Sequence, residues 1–390
     1  MLLISIIYLF RFESSLLEKI SNYLSLVLLI IGLNLSGSWY FRKKPHYIGS
    51  SLTLLNGFWF IMILWFLIVP LVFFDSTNNT FIDGMMSDYR YLLFSIMPFL
   101  LVSDYSVKYY NKIWDSFGAL IVFLGLISLF FVDKSSIITS ERGTQGLPYY
   151  LWWSVVCVYP YLFLKSVFIN NDIKGYALLF LNLVLSLFFI KRTGFVGTSY
   201  FLIVAVLFST TNKIFGSKIF QFSSVFIFIF LLFYFGYLDS MIGRFERDAS
   251  DIDNFDRLVE IDEFFSNASM ANLLTGFGAN NYLSMTYIGI EDKGVRALHI
   301  GFYNILYKGG VMYILFMIFF AWQVLSLWKY RNVDREILIG FLIGFYSILS
   351  LSFEGSWSYM PYHFFKLLPI YRAIYLKDKY LLNIKKAVFN

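Results

Sequence analysis

The chain has 390 residues, 58% of them hydrophobic and only 14% charged, with a net charge of +6 and a mean hydropathy of +0.67. A soluble domain is near half apolar and a quarter charged, so this balance excludes an ordinary soluble fold and points to an all-α chain that crosses a membrane many times. The single cysteine, Cys157, excludes an intramolecular disulfide, and three scattered histidines (His46, His299, His363) with no Cys/His cluster suggest no zinc site. The bases mostly flank apolar runs, so the positive charge does not imply nucleic acid.

Residues 1–10 are apolar but too short for a comfortable span, which needs roughly 20 residues. No small-residue cleavage site follows them, so they are expected to stay in the mature protein. Residues 23–41 and 49–74 read as spans, followed by 91–103, 113–132, 149–168, 176–190, 195–209 and 219–238. After a long polar loop, 299–326 and 337–353 are spans, and 359–376 is a shorter, more polar final one. The expectation is 10–12 helices in one domain, 1–390, with a large loop at 239–298. No repeat of 20–50 residues is visible.

Lysine and arginine beside the spans set the orientation. Arg42/Lys43/Lys44, Lys108/Lys112, Lys165/Lys174, Lys213/Lys218, Lys329/Arg331/Arg335 and the bases of the tail fall on one side, which is expected to be cytoplasmic. Arg90, Lys134/Arg142, Lys191/Arg192 and the large loop fall on the other. That loop holds eleven acids and five bases, a local charge of −6. Connections of such length are uncommon unless they do something.

Three features are expected on the outer face. Lys191-Arg192-Thr193-Gly194 joins two short apolar runs, each about 22 Å long as a helix, less than the bilayer core of about 30 Å. A basic pair held below the surface suits a diphosphate, because Arg offers a planar fork of donors. The other reading is a pair of interfacial, snorkelling side chains. Next, Asn254–Phe265 has the spacing of an amphipathic helix lying on the bundle, with Asp253 or Asn254 as its cap. Arg257 on it faces an anionic ligand or pairs with a neighbouring acid. Last, His299 stands at the mouth of the span HIGFYNILYKGGVMYILF, either as a base for a sugar hydroxyl or as an interfacial polar residue. Lys308 inside that span needs a partner or a watery cavity, and Gly309 and Gly310 permit close helix packing.

The order of these motifs resembles the bacterial O-antigen polymerase and ligase superfamily (Wzy and WaaL). The chain shows an R-T-G turn, a loop segment R-L-x-x-x-x-x-F, then L-L-T-G-F-G-A-N-N-Y, then His and a glycine-bearing span. The resemblance is densest from Lys191 to Phe316. It implies a metal-independent glycosyltransferase without a cofactor. Its substrates would be an undecaprenyl-diphosphate-linked oligosaccharide donor and a lipid-linked acceptor. It also implies a multi-pass protein of the bacterial inner membrane with its site on the periplasmic side, in contact with membrane lipids and a chain-length regulator protein. Carried over, Arg192 and Arg257 match the arginines that hold the diphosphate, and His299 the proposed base. Lys191, Arg244, Arg247, Asn280, Tyr282 and Arg296 are the expected substrate-binding residues. Many members, ligases especially, carry Asn directly after that histidine; here Ile300 follows and Asn304 lies further along, which favours a polymerase over a ligase. A flippase of the same lipid-linked glycan is the reading from another class, disfavoured by the absence of a visible repeat.

Overall fold

The computed structural model describes residues 51–55, 57, 58, 61, 65, 114, 123, 147–188, 192–209, 217–234, 256–276, 301–351 and 363–389. These residues are almost all helical, and no strand occurs among them. In chain order, α1 is Leu147–Lys165, followed by a π-helical turn at Ser166–Asn170. Then come α2 at Lys174–Phe188, α3 at Arg192–Phe208 and α4 at Lys218–Tyr234. The segment α5 is Asp256–Asn267 and α6 is Met270–Thr275. Gly301–Ser326 forms α7, prolonged by a 3-10 turn at Leu327–Tyr330. Last are α8 at Arg335–Ser350 and α9 at His363–Phe389.

Among the described residues, one helix, Gly301–Tyr330, is long and apolar enough by length and composition to cross a membrane. Lys174–Ser186, Gly194–Phe208 and Lys218–Phe230 are shorter apolar helices. The runs 149–168, 176–190, 195–209, 219–238, 299–326 and 337–353 each coincide with a helix. The runs 1–10, 23–41 and 91–103, and most of 49–74 and 113–132, lie outside the described residues. The final run differs in length. The helix continues past 376 to Phe389, so the four tail lysines ride on α9 instead of a loose end.

Small residues let the helices approach closely. At Gly175 a Cβ would stand 2.5 Å from the Phe163 Cα, so α1 and α2 close as a tight hairpin. Asn171 makes the turn with φ of 55°, a conformation Asn tolerates. The Ser166 hydroxyl accepts from the Gly175 N–H at 2.9 Å and donates to Asp172, fixing the same turn. At Gly340 of α8 a Cβ would collide with the Ala373 Cβ and stand 2.7 Å from the Pro369 carbonyl oxygen, both on α9. At Gly344 it would stand 2.7 Å from a methyl of Val324 on α7. So α8 is wedged between α7 and α9 by its two glycines.

Polar groups bind the end of the bundle where α7 turns into α8, called the turn end below. Asp334 caps α8, accepting from the Glu336 N–H at 2.8 Å. Arg372 pairs with Glu336 at 2.9 Å. Buried Lys377 donates to Gln323 at 3.2 Å and to Ser326 at 3.1 Å. Asp378 accepts from the N–H groups of Ser51 and Leu52, at 3.0 and 3.4 Å, and so holds the first described turn of the helix at 51–55. A buried carboxylate that accepts two backbone N–H bonds is stabilised by them.

Gly340→Ala is expected to lower stability by about 1–3 kcal/mol, the usual cost of overpacking a tight helix contact. Ala373→Gly in the same chain should restore part of it, because one of the two clashing atoms is then gone. Thermal unfolding followed by circular dichroism would read the difference, and additive losses would mean that the two positions do not touch.

Candidate functional site

The segment with most of the sequence signals is built on a break in α7. Gly310 has φ of 61° and ψ of −157°, a backbone conformation that suits glycine and interrupts the helix. The break reverses much of the direction of the chain. As one straight helix, the stretch from Phe302 to Val324 would be about 33 Å long, whereas Gly344 to Leu351 on the neighbouring α8 is about 10 Å. Yet Val324 packs on Gly344, and the Phe302 N–H donates to the Leu351 carbonyl at 3.2 Å. Both contacts hold only if 301–309 folds back at Gly310. The expected straight span 299–326 is therefore two pieces. A short re-entrant helix precedes a second part, 311–330, which is itself about 30 Å long and matches a bilayer core.

The fold-back is locked by the loop that precedes it in sequence. Gly276, with φ of 78°, lies so close that a Cβ there would stand 2.5 Å from the Lys308 carbonyl oxygen and 2.6 Å from the Gly309 nitrogen. From the other side, a Cβ on Gly310 would collide with the Leu274 carbonyl oxygen and stand 2.6 Å from the Gly276 nitrogen. Two glycine backbones thus meet with no side chain between them. Local bonds prepare the loop for this. Ser269 caps α6 by accepting from the Asn272 N–H at 3.2 Å, and the Gly276 N–H closes the helix on the Asn272 carbonyl at 2.7 Å. The Trp65 indole donates to the Thr275 carbonyl at 3.1 Å, tying the loop to the helix near the N-terminus.

Helix α5 covers the same piece. The expected amphipathic helix over 254–265 is found at Asp256–Asn267. Phe264 is fully buried and meets the ring of Tyr307 edge-on at 6.0 Å, while Phe265 meets Tyr303 edge-on at 5.9 Å. Phe264 and Tyr307, with Ala268, Leu273, Tyr303 and Leu306, form a small apolar cluster separate from the main core. Its aromatic pairs each contribute about 0.5–1.5 kcal/mol beyond area burial. On the re-entrant piece Asn304 and Lys308 are both buried, and the Lys308 ammonium lies 5.0 Å from the centroid of the Tyr307 ring.

Helix α3 brings a further residue to the same end. Its lower part packs at the turn end, with Phe208 edge-on to Trp328 at 5.8 Å. Higher up, the Tyr200 hydroxyl donates to the Leu342 carbonyl at 2.9 Å, and a Cβ on Gly197 would stand 2.8 Å from the Tyr346 hydroxyl. So α3 runs antiparallel to α8, and its first residue, Arg192, lies at the end where α8 stops and α7 begins. Residues 192–194, read from sequence as part of a turn, are the first turn of the helix. Asn182 of α2 braces that turn, donating to Thr198 at 2.8 Å and to the Gly194 carbonyl at 3.3 Å.

Arg257 is the second residue of α5, and its backbone therefore belongs to the element covering the fold-back. Lys191, Arg244, Arg247, Asn280, Tyr282, Arg296 and His299 lie outside the described residues, as do the proposed caps Asp253 and Asn254. The structure adds Lys366, which sequence reasoning passed over as part of a polar last span. It is buried near the start of α9, with its ammonium 5.8 Å from the Tyr346 ring centroid. Its signal in the sequence was a lysine within an otherwise aromatic and apolar stretch, HFFKLLPIY. The end of the bundle thus gathers the Arg192 backbone, Lys308, Lys366 and the α5–α6 cover.

Comparison with protein-family models, with curated proteins and with solved structures finds no match for the chain.

Gly310→Ala forces a side chain into a left-handed φ, at about 1–3 kcal/mol, and into the backbone of the loop. Amide hydrogen exchange across 270–276 is expected to accelerate roughly tenfold or more, since about 1.4 kcal/mol is a factor of ten. Gly57→Ala, where a Cβ meets nothing within 4 Å, is the control. Unchanged exchange in Gly310→Ala would disprove the lock.

Proposed function

We propose that the chain is a polytopic membrane enzyme of 10–12 spans that polymerises lipid-linked glycan repeat units on the outer face of the bacterial plasma membrane. The observation that carries this reading is the meeting of Gly276 with Gly310. Gly276 and the K-G-G stretch, both within motifs that carry the resemblance, are distant in sequence and packed backbone to backbone in space. They lie at the same end of the bundle as the start of α3, where the resemblance places the first arginine of the site. In this reading the turn end, with Lys329, Arg331 and Arg335, is cytoplasmic. The re-entrant piece is tolerated at membrane depth because it is buried in protein and covered by α5 and α6.

In the proposed reaction an acceptor hydroxyl attacks the anomeric carbon of the donor glycan. The bond to the undecaprenyl diphosphate breaks, and the diphosphate leaves with the electron pair. Arg192 and Arg257 stabilise the charge growing on the leaving group. His299 takes the hydroxyl proton. Lys191, Arg244, Arg247 and Arg296 add positive potential around the donor, and Asn280 and Tyr282 hold sugars by hydrogen bonds and stacking.

Deleting the gene and analysing the surface glycan tests this reading. Single capped repeat units are the expected outcome. Full-length polymer left on the lipid carrier would indicate a ligase, and units trapped on the cytoplasmic side a flippase; either result overturns the polymerase.

At the level of residues, Arg192→Ala is expected to abolish polymerisation at equal membrane levels, and Arg192→Lys to impair it by loss of the bidentate fork. Loss of His299 as general base should cost about 10²–10⁴-fold in rate, with donor binding retained. In that case His299→Gln fails nearly as badly as His299→Ala in an assay with purified lipid-linked units. Wild-type rates in His299→Ala would remove it from the mechanism.

Topology has its own measurement. Single cysteines at 43 and 250 in a Cys157→Ser background should label from opposite sides. Labelling from one side would sink the orientation.

A further inference from the structure

At the turn end, an apolar groove of about 390 Å³ opens between α3, α7 and α8. Its walls include Val204 and Phe208 from α3, Leu325 and Trp328 from the end of α7, and Phe341 and Phe345 from α8. Tyr200, also in the wall, spends its hydroxyl on the Leu342 carbonyl at 2.9 Å. From Tyr200 to Phe208 the groove follows α3 for about 12 Å. Its lining is therefore complementary to an apolar guest.

The mouth of the groove has the opposite character. The Arg331 guanidinium lies 3.9 Å from the centroid of the Trp328 ring and donates to the Trp328 carbonyl at 2.9 Å. The ring that walls the groove therefore also fixes the cation above it. Of the five N–H donors of an arginine, that bond uses one. Lys329 is exposed beside it, and Arg335 follows. Of the two acids nearby, Asp334 caps α8 and keeps its charge, while Glu336 is paired with Arg372. The mouth therefore keeps a positive balance directly over an apolar slot.

We propose that this groove seats one acyl chain of an anionic glycerophospholipid, whose phosphate is held by Arg331 and Lys329. The occupant is fixed by charge complementarity at the mouth and by the hydrocarbon lining below it. An anionic headgroup meets two bases at the surface, Trp328 sits at the headgroup level where indoles favour both phases, and the chain descends along α3. The proposal rests on the membrane placement of the bundle and is independent of the reaction assigned to the opposite end.

Native mass spectrometry of the full chain in detergent, titrated with phosphatidylglycerol or phosphatidylcholine, tests it. Phosphatidylglycerol is expected to be retained about tenfold over phosphatidylcholine, in line with two bases near a headgroup. Arg331→Gln with Lys329→Gln should bring the two lipids level, whereas Lys385→Gln with Lys386→Gln, on the exposed end of α9, should not. Leu325→Trp, at a half-exposed wall position that tolerates bulk, should lower retention of both lipids, while Phe226→Trp on the exposed face of α4 should leave it unchanged. Equal retention of the two lipids by the native chain would overturn the proposal. So would unchanged retention in Leu325→Trp, or levelling by the α9 pair. Displacement of phosphatidylglycerol by an equal concentration of a polyprenyl phosphate would assign the groove to a donor tail and overturn it as well. Recovery of the chain in the soluble fraction would instead sink the membrane placement, a failure distinguishable from loss of lipid preference in a membrane-bound chain.

Discussion

Everything at the fold-back end depends on two backbones being allowed to touch. Gly276 and Gly310 both have positive φ; a Cβ on Gly276 would enter the backbone of Lys308 and Gly309, and one on Gly310 the backbone of Leu274 and Gly276. Neither requirement alone would fix the structure. Positive φ at Gly310 would permit a break in many directions, and a small residue at 276 would permit many approaches. Together they select one arrangement, with the α5–α6 segment seated in the break. The short helix 301–309 is then clamped between Leu351 on one side and the rings of α5 on the other.

The two ends of the bundle are held by different physics. At the turn end, charged groups carry the contacts: Arg372 with Glu336, Lys377 with Gln323 and Ser326, and Asp378 with two helical N–H groups. Such pairs are direction-specific and strongly destabilising when one partner is removed, because the other is left buried. At the fold-back end, the described contacts are aromatic edges and close backbones. Those are specific in shape and less so in charge.

Much of this layout was legible in the sequence. Apolar runs gave the positions of α1 to α4, α7 and α8 to within a few residues, because a helix buried or lipid-facing all round has little choice of composition. The period of Asn254–Phe265 gave α5, and the structure shows why: Phe264 and Phe265 are the residues that dock. The fold-back was hidden. Gly309 and Gly310 were visible, but glycines in an apolar run read equally as a packing face or a break. Only the contact of Phe302 with Leu351 decides between them, and it is non-local. Arg192 was misplaced by a turn for a related reason: basic residues between two apolar runs look like a loop even when the helix has already begun. Lys366 escaped because a lysine near a span end normally snorkels, and burial by Tyr346 cannot be read from one strand of sequence.

The re-entrant piece also explains why polar residues sit where they do. A lysine and an asparagine within the first third of a straight 26-residue apolar helix would be expensive wherever they faced hydrocarbon. Once the helix folds back at Gly310, Asn304 and Lys308 no longer belong to a lipid-facing rod. They lie inside protein, under α5 and beside α8, where the ring of Tyr307 stands against the ammonium. The break that removes them from lipid is the same one that the Gly276 loop holds in place. Any movement of α5 and α6 must therefore disturb Lys308, since its own carbonyl is one of the atoms against which Gly276 packs. The cover and the buried lysine form one mechanical unit.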